Sequence, residues 1–235
     1  KLLIAVAFGV VLTLAPVNAA VRPPHLKYEM MKLPNGLTVV LSPDDSTPIV
    51  HVELWYHVGS KDEKPGRTGF AHLFEHMMFK GSKNVDPEEH ASMLASIGGQ
   101  SNAYTNDDAT VFWQTVPSQY LPLELWMEAD RMATLRIDKW TFRTEPEVVK
   151  EERRLRVDNP PFGRLSEILY DQFYTVSPYK HTTIGSMKDL DAASVEDVRD
   201  FHNTYYMPGN ATVAIVGDFE MAQAKELVTR YFGRI

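Results

Sequence analysis

Gly69-Phe70-Ala71-His72-Leu73-Phe74-Glu75-His76-Met77-Met78-Phe79 is the stretch on which the reading of the whole chain turns. On a helix, His72 and His76 stand one turn apart, so both imidazoles leave the same face. Two neutral ring nitrogens at that spacing can bind one Zn²⁺. Glu75 projects beside them, where a carboxylate can serve as a general base. The alternative is a helix with two surface histidines. Against it, Phe70, Leu73, Phe74, Met77 and Met78 make the flanks apolar, so the helix is expected to be largely buried. Polar groups buried in such a place need a compensating partner, and a metal supplies one.

A catalytic zinc site needs a third protein ligand and keeps one open position. The stretch Phe142-Arg143-Thr144-Glu145-Pro146-Glu147-Val148-Val149-Lys150-Glu151-Glu152 offers several carboxylates. On a helix Glu145 and Glu152 lie two turns apart on one face, while Glu151 is turned about 100° from Glu152. Glu147 and Glu151 read as solvated. His-x-x-Glu-His is the inverzincin order. Together with Glu145 and Glu152, separated by six residues, it resembles the pitrilysin (M16, insulinase-like) family of zinc metallopeptidases. The resemblance implies His72, His76 and Glu152 as ligands of one Zn²⁺ per chain, Glu75 as catalytic base and Glu145 as a supporting catalytic glutamate. Glu151 is the runner-up ligand.

Composition agrees with that direction. Apolar residues make up 44% and charged residues 23% of the 235-residue chain, as in an ordinary globular protein. A net charge of -7 argues against nucleic acid as a partner. There is no cysteine, which excludes disulfides, thiolate metal sites and a catalytic thiol, so a metal would need His and carboxylate ligands. At the N-terminus, Lys1 precedes an apolar run to Ala15 and then Pro16-Val17-Asn18-Ala19-Ala20. That run is short of the roughly 20 residues that cross a bilayer. Residues 1–20 therefore read as a signal peptide, with a periplasmic or secreted destination.

Further along, Tyr28 to Leu33 and Leu37 to Leu41 read as a hairpin around Pro34-Asn35-Gly36. Ile49 to Val58 reads as a central strand, with His51 and His57 most simply strand-face residues. Gly81 reads as the C′ residue of the histidine helix, and Asp86-Pro87 as the start of the next, on which His90 is expected to be exposed. Ser118 to Thr134, Thr141 to Val157, Arg164 to Phe173 and Met221 to Phe232 read as helices, and Ala211 to Gly217 as a strand. Ser194 with Asp197 reads as a capping box. His202 reads as structural.

Gly98-Gly99-Gln100-Ser101-Asn102-Ala103-Tyr104-Thr105 is a second point of resemblance to the M16 family. It implies an edge strand beside the metal to which substrate adds as a further strand, with Asn102, Ala103, Tyr104, Thr105 and the nearby Phe79 as substrate-binding residues. An open edge offers main-chain hydrogen bonds to any extended peptide. The expected fold is α+β, a mostly antiparallel sheet with helices packed on one face, LuxS/M16 metallopeptidase-like. Residues 21–235 are expected to form the N-terminal zinc-binding domain. The resemblance also implies a second M16-type domain or partner subunit, and a dimeric assembly, closing around peptide substrates. The function expected is a zinc endopeptidase acting on peptides or small unfolded proteins. The alternative is a non-catalytic assembly subunit of the same fold.

Overall fold

A computed structural model describes residues 26–235. The signal-peptide reading of residues 1–20 lies outside the described residues. Six strands form one sheet in the order β1-β2-β6-β3-β5-β4. They are β1 (Glu29–Lys32), β2 (Thr38–Pro43), β3 (Ile49–Tyr56), β4 (Gln100–Thr105), β5 (Thr110–Pro117) and β6 (Ala211–Gly217). All neighbours are antiparallel except β2 and β6, which run parallel. The Pro34-Asn35-Gly36 turn joins β1 to β2, with Gly36 in the left-handed region at φ 93°.

The helices are α1 (Phe70–Met77), α2 (Glu89–Ser96), α3 (Leu121–Thr134), α4 (Lys139–Phe142), α5 (Glu145–Arg153), α6 (Leu165–Phe173), α7 (Met187–Asp191), α8 (Val195–Tyr205) and α9 (Met221–Phe232). The interior strand β3 alternates buried and half-buried side chains. That alternation is the mark of a sheet covered on one face, not of a strand buried on both. Leu54 lies opposite Phe112 on β5 and Val213 on β6, and all three are buried. Leu73, Phe74 and Met77 of α1, Leu125 of α3 and Phe232 of α9 complete the same core. Each such side chain contributes about 1.5–3 kcal/mol on burial. The histidine helix is thus fixed to the sheet by its apolar face.

Several sequence expectations change in the folded chain. His90 is not exposed: it retains 6% of its surface, with Nε2 3.3 Å from the buried Glu128 on α3. Its partner lies far away in sequence, which a local pattern does not reveal. Helix α2 starts at Glu89, three residues after Asp86, and the residue before it, Glu88, adopts φ 65°. The chain before the helix passes close to Gly81, where a Cβ would meet Val85 O at 2.8 Å and Pro87 N at 2.9 Å. Helix α1 itself ends at Met77, and Met78, Phe79 and Lys80 continue as hydrogen-bonded turns before Gly81 (φ 89°). The segment expected as one helix from Thr141 to Val157 is divided into α4, α5 and a π-helical turn over Arg154–Asp158. The helix after Ser194 matches expectation, with a reciprocal Ser194–Asp197 capping box.

Candidate metal centre

Helix α1 begins at Gly69, and its first turn is held by a buried carboxylate. Glu63 accepts from the backbone N–H of Gly69 and of Ala71, each at 2.8 Å. A negative group there meets the positive end of the helix and satisfies donors that have no intrahelical partner. The loop at 182–186 presses on the same end. A Cβ on Gly185 (φ +69°) would sit 2.3 Å from Thr68 O and 2.4 Å from Gly69 N, so only glycine fits. Arg153 at the end of α5 donates to Gly185 O at 2.6 Å. Loop, α1 and α5 are therefore locked together. Gly185→Ala is expected to lower stability by about 1–3 kcal/mol through backbone strain alone, with the clash in addition. A thermal melt indistinguishable from wild type would contradict this close approach.

The lock sets two histidines and a glutamate face to face. Nε2 of His72 and Nε2 of His76 lie 3.6 Å and 3.3 Å from the same atom, Oε2 of Glu152. One atom from each of these three residues falls within 4.8 Å of the others. Zn–N and Zn–O bonds of about 2.0–2.2 Å at tetrahedral angles separate two ligand atoms by about 3.3–3.6 Å. The spacing and the donor set thus fit zinc. Burial and the neighbouring His76 lower the His72 pKa to about 4, so this imidazole is neutral and able to ligate near pH 7. Among the described residues no other cluster of this kind occurs. His51 and His57 bond instead to Thr115 (2.8 Å) and Thr212 (3.1 Å) across the sheet.

Around this trio the other expected residues take distinct places. Glu75 is half-buried beside the ligands and accepts a hydrogen bond from the Thr105 hydroxyl of β4. Burial, with the nearby Glu152 charge, raises its pKa above the ordinary carboxylate range. Glu145 is almost wholly buried, with Oε2 3.8 Å from His76 Nδ1. Glu151 points away and pairs with Arg154 at 2.8 Å. Phe79, Asn102, Ala103, Tyr104 and Thr105 all line a cleft of about 930 Å³ that includes the trio. Sequence reasoning missed three residues here. Glu63 carries no local signal. The sequence reading gives no role to Lys80 or Arg156, although Arg156 stands one helical turn beyond Glu152 and binds its other oxygen, Oε1, at 2.6 Å.

Strand β4 lies at the edge of the sheet. Asn106 donates to Ala109 O at 2.9 Å at the end of the β4–β5 hairpin. Bonded and non-bonded pairs alternate in an antiparallel ladder, so the backbone groups of Thr105, Ala103 and Ser101 face the open edge. The Ala103 N–H meanwhile donates to the Asn102 side-chain oxygen at 2.9 Å.

The family model for insulinase, peptidase family M16, matches residues 38–186, which include His72, Glu75, His76, Glu145 and Glu152. The chain belongs to the M16 family. A second M16 model, described as the inactive domain, matches residues 192–235. Among M16 relatives, the zinc protease PqqE of Helicobacter pylori is 37% identical over 207 residues, covering 88% of this chain and 47% of that protein. A crystal structure of a protease from Helicobacter pylori superposes with a TM-score of 0.86 at 37% identity, over 88% of this chain and 50% of that one. The first half of the periplasmic protease PqqL from Escherichia coli gives a TM-score of 0.81 at 26% identity, over 89% of this chain and 46% of that one. The chain spans about half the length of the curated M16 relatives it matches.

Proposed function

We propose that this chain is the zinc-binding part of a metalloendopeptidase that hydrolyses peptides or small unfolded proteins. One observation carries the reading: two imidazole nitrogens and a carboxylate oxygen converge on one point, with a further half-buried carboxylate beside it on the cleft wall. His72, His76 and Glu152 hold the metal. Zinc, when bound, supplies Lewis acidity that makes water a usable nucleophile near neutral pH. Glu75 takes the proton from the attacking water and returns it to the leaving amine. Its place beside the trio, with the Thr105 hydroxyl bonded to one oxygen, orients it for that exchange. Glu145 supports His76 from behind. A non-catalytic role in an assembly is less well supported, since the whole set of ligands and base is in place.

The experiment that tests this reading is zinc titration of the purified chain, followed by a fluorogenic peptide assay in the presence of its second domain. One tightly bound zinc per chain is expected. A chain that takes up no zinc would sink the proposal.

Peptide is held, in this reading, as an added strand along β4. Proline at position 103 removes an outward N–H without breaking a bond to β5. Ala103→Pro is therefore expected to keep zinc and to weaken all peptides alike, because main-chain bonds do not read side chains. Normal binding of some sequences and rejection of others would point to a side-chain pocket instead.

A second M16-type domain, in the same chain or a partner subunit, is proposed to close over the cleft. In support, α6 lines the cleft through Ser166, Glu167 and Tyr170, and its Leu165, Ile168 and Phe173 stay 51%, 56% and 74% exposed, apolar surface that a partner would cover. Residues 1–235 alone should bind zinc yet cleave poorly, since one edge strand orders a peptide with little burial. Adding the second domain should restore turnover; equal rates with and without it would refute the closure. The N-terminal residues 1–20 and the periplasmic PqqL relative together support a periplasmic location.

A further inference from the structure

Behind His76 lies a chain of contacts that leaves the metal centre altogether. Oε2 of Glu145 faces His76 Nδ1 at 3.8 Å. Its other oxygen, Oε1, is taken by two donors: the Thr144 hydroxyl at 2.8 Å and the Lys80 ammonium at 3.1 Å. Lys80 in turn reaches Glu88 at 3.1 Å. The Glu145 side chain keeps only 3% of its surface, whereas Glu88 keeps 72%. Burying a carboxylate to that degree is costly unless its oxygens are bonded and its charge is met by a partner. Among the described residues, Lys80 is the only cation that pairs with it.

We propose that Lys80 is a positioning residue for the metal centre: by binding one oxygen of Glu145, it holds that carboxylate in place with its other oxygen aimed at His76 Nδ1. This rests on the zinc reading given above. At 3.8 Å that oxygen faces the ring nitrogen whose protonation leaves Nε2 free for the metal, and such outer partners set the ring orientation and basicity of a ligand.

Lys80 is well placed for the task. It stands one turn beyond the last residue of α1, its N–H bonded to Met77 O at 3.0 Å, and the left-handed Gly81 follows at φ 89°. The ammonium therefore travels with the helix that carries both histidines. Burial works against its charge, but the hydrogen bonds to Glu88 and Glu145 outweigh that and raise its pKa. Glu88, held at φ 65° before α2, anchors the far side of the ammonium.

Arg156 provides the comparison. It also binds a carboxylate of the centre, Glu152 Oε1 at 2.6 Å, but its side chain is 73% exposed. With the guanidinium in solvent, water can take its place on Glu152 when it is removed.

The test is zinc affinity by chelator competition on residues 1–235, for Lys80→Met, Lys80→Arg, Arg156→Met, Glu145→Gln and the double variant Lys80→Met/Glu145→Gln. Lys80→Met should weaken zinc binding about 10-fold or more, as loss of an outer-shell partner does. Lys80→Arg should recover most of the loss. Arg156→Met should change affinity by less than about fivefold. In the Glu145→Gln background, Lys80→Met should add no further loss. That last comparison stands even if Lys80→Met alone does not fold, because the double variant leaves no buried carboxylate unpaired. Wild-type affinity in Lys80→Met, an equal loss in Arg156→Met, or an additive loss in the double variant would each overturn the role of Lys80. Failure of the wild-type chain to bind zinc would instead strike at the zinc reading itself.

Discussion

Glu75→Gln should abolish peptide cleavage while leaving zinc in place. The expected fall in kcat is on the order of 10²–10⁴-fold, the usual contribution of a positioned general base. Glutamine has the same shape and still offers an oxygen to the Thr105 hydroxyl, so β4 and α1 should keep their spacing. None of the three atoms that converge at the centre belongs to Glu75. Zinc content should therefore match wild type, and the loss should fall on kcat, not on KM. Steady-state kinetics of the two-domain protein, paired with metal analysis of the same sample, decide the matter. An active Glu75→Gln enzyme with bound zinc would overturn the assignment of the base.

The second large effect is on the metal itself. His76→Ala and Glu152→Gln should each lose zinc, while Glu151→Gln should retain it. His76 Nε2 and Glu152 Oε2 lie 3.3 Å apart at the heart of the trio, whereas the Glu151 side chain is 57% exposed and held by Arg154. Removing a ligand should weaken binding by more than the 10–100-fold typical of an outer-shell change. The loss should also show in unfolding. Free zinc at about 1,000 times Kd stabilises a single-site protein by about 4.1 kcal/mol. Wild type and Glu151→Gln should gain that increment on zinc addition, and the two ligand variants should not. A Glu151 variant that no longer responds to zinc would mean that the third ligand had been misplaced.

Much of the candidate site is legible in the sequence alone. The spacing of His72 and His76 needs only helical periodicity to bring them together. Turn and cap chemistry marked Gly36 and Ser194, and β6 and α9 carry the bounds that their apolar patterns predict. What escaped depends on partners distant in sequence. His90 looked solvated because Glu128, which it meets, lies on another helix. The parallel pairing of β2 with β6 joins segments about 170 residues apart, and nothing local announces it. Glu63 and Lys80 carry no local signal that sets them apart from other charged residues. Only the fold shows one capping α1 and the other bound to a buried carboxylate. The start of α5 is signalled by Pro146, which sits in its first turn, whereas nothing local marks the change to a π-helical turn at Arg154.

The edge strand has a consequence for how the protein avoids its own kind. An open strand edge is an invitation to any extended chain, including another copy of this one, and edge-to-edge pairing is how sheets begin to aggregate. Here one of the outward donors of β4 is already engaged: Asn102 bends its side-chain oxygen onto the Ala103 N–H at 2.9 Å. A newcomer must displace that internal stopper before it gains a first bond at this position. Brief, accidental encounters are thereby discouraged, and an intruder that meets only part of the edge gains little. A peptide that runs the whole length of the strand, from Gln100 to Thr105, recovers the difference over its remaining bonds. If peptide adds along this edge as proposed, the same asparagine would be a doorkeeper, indifferent to side-chain identity but sensitive to how much extended backbone a visitor brings.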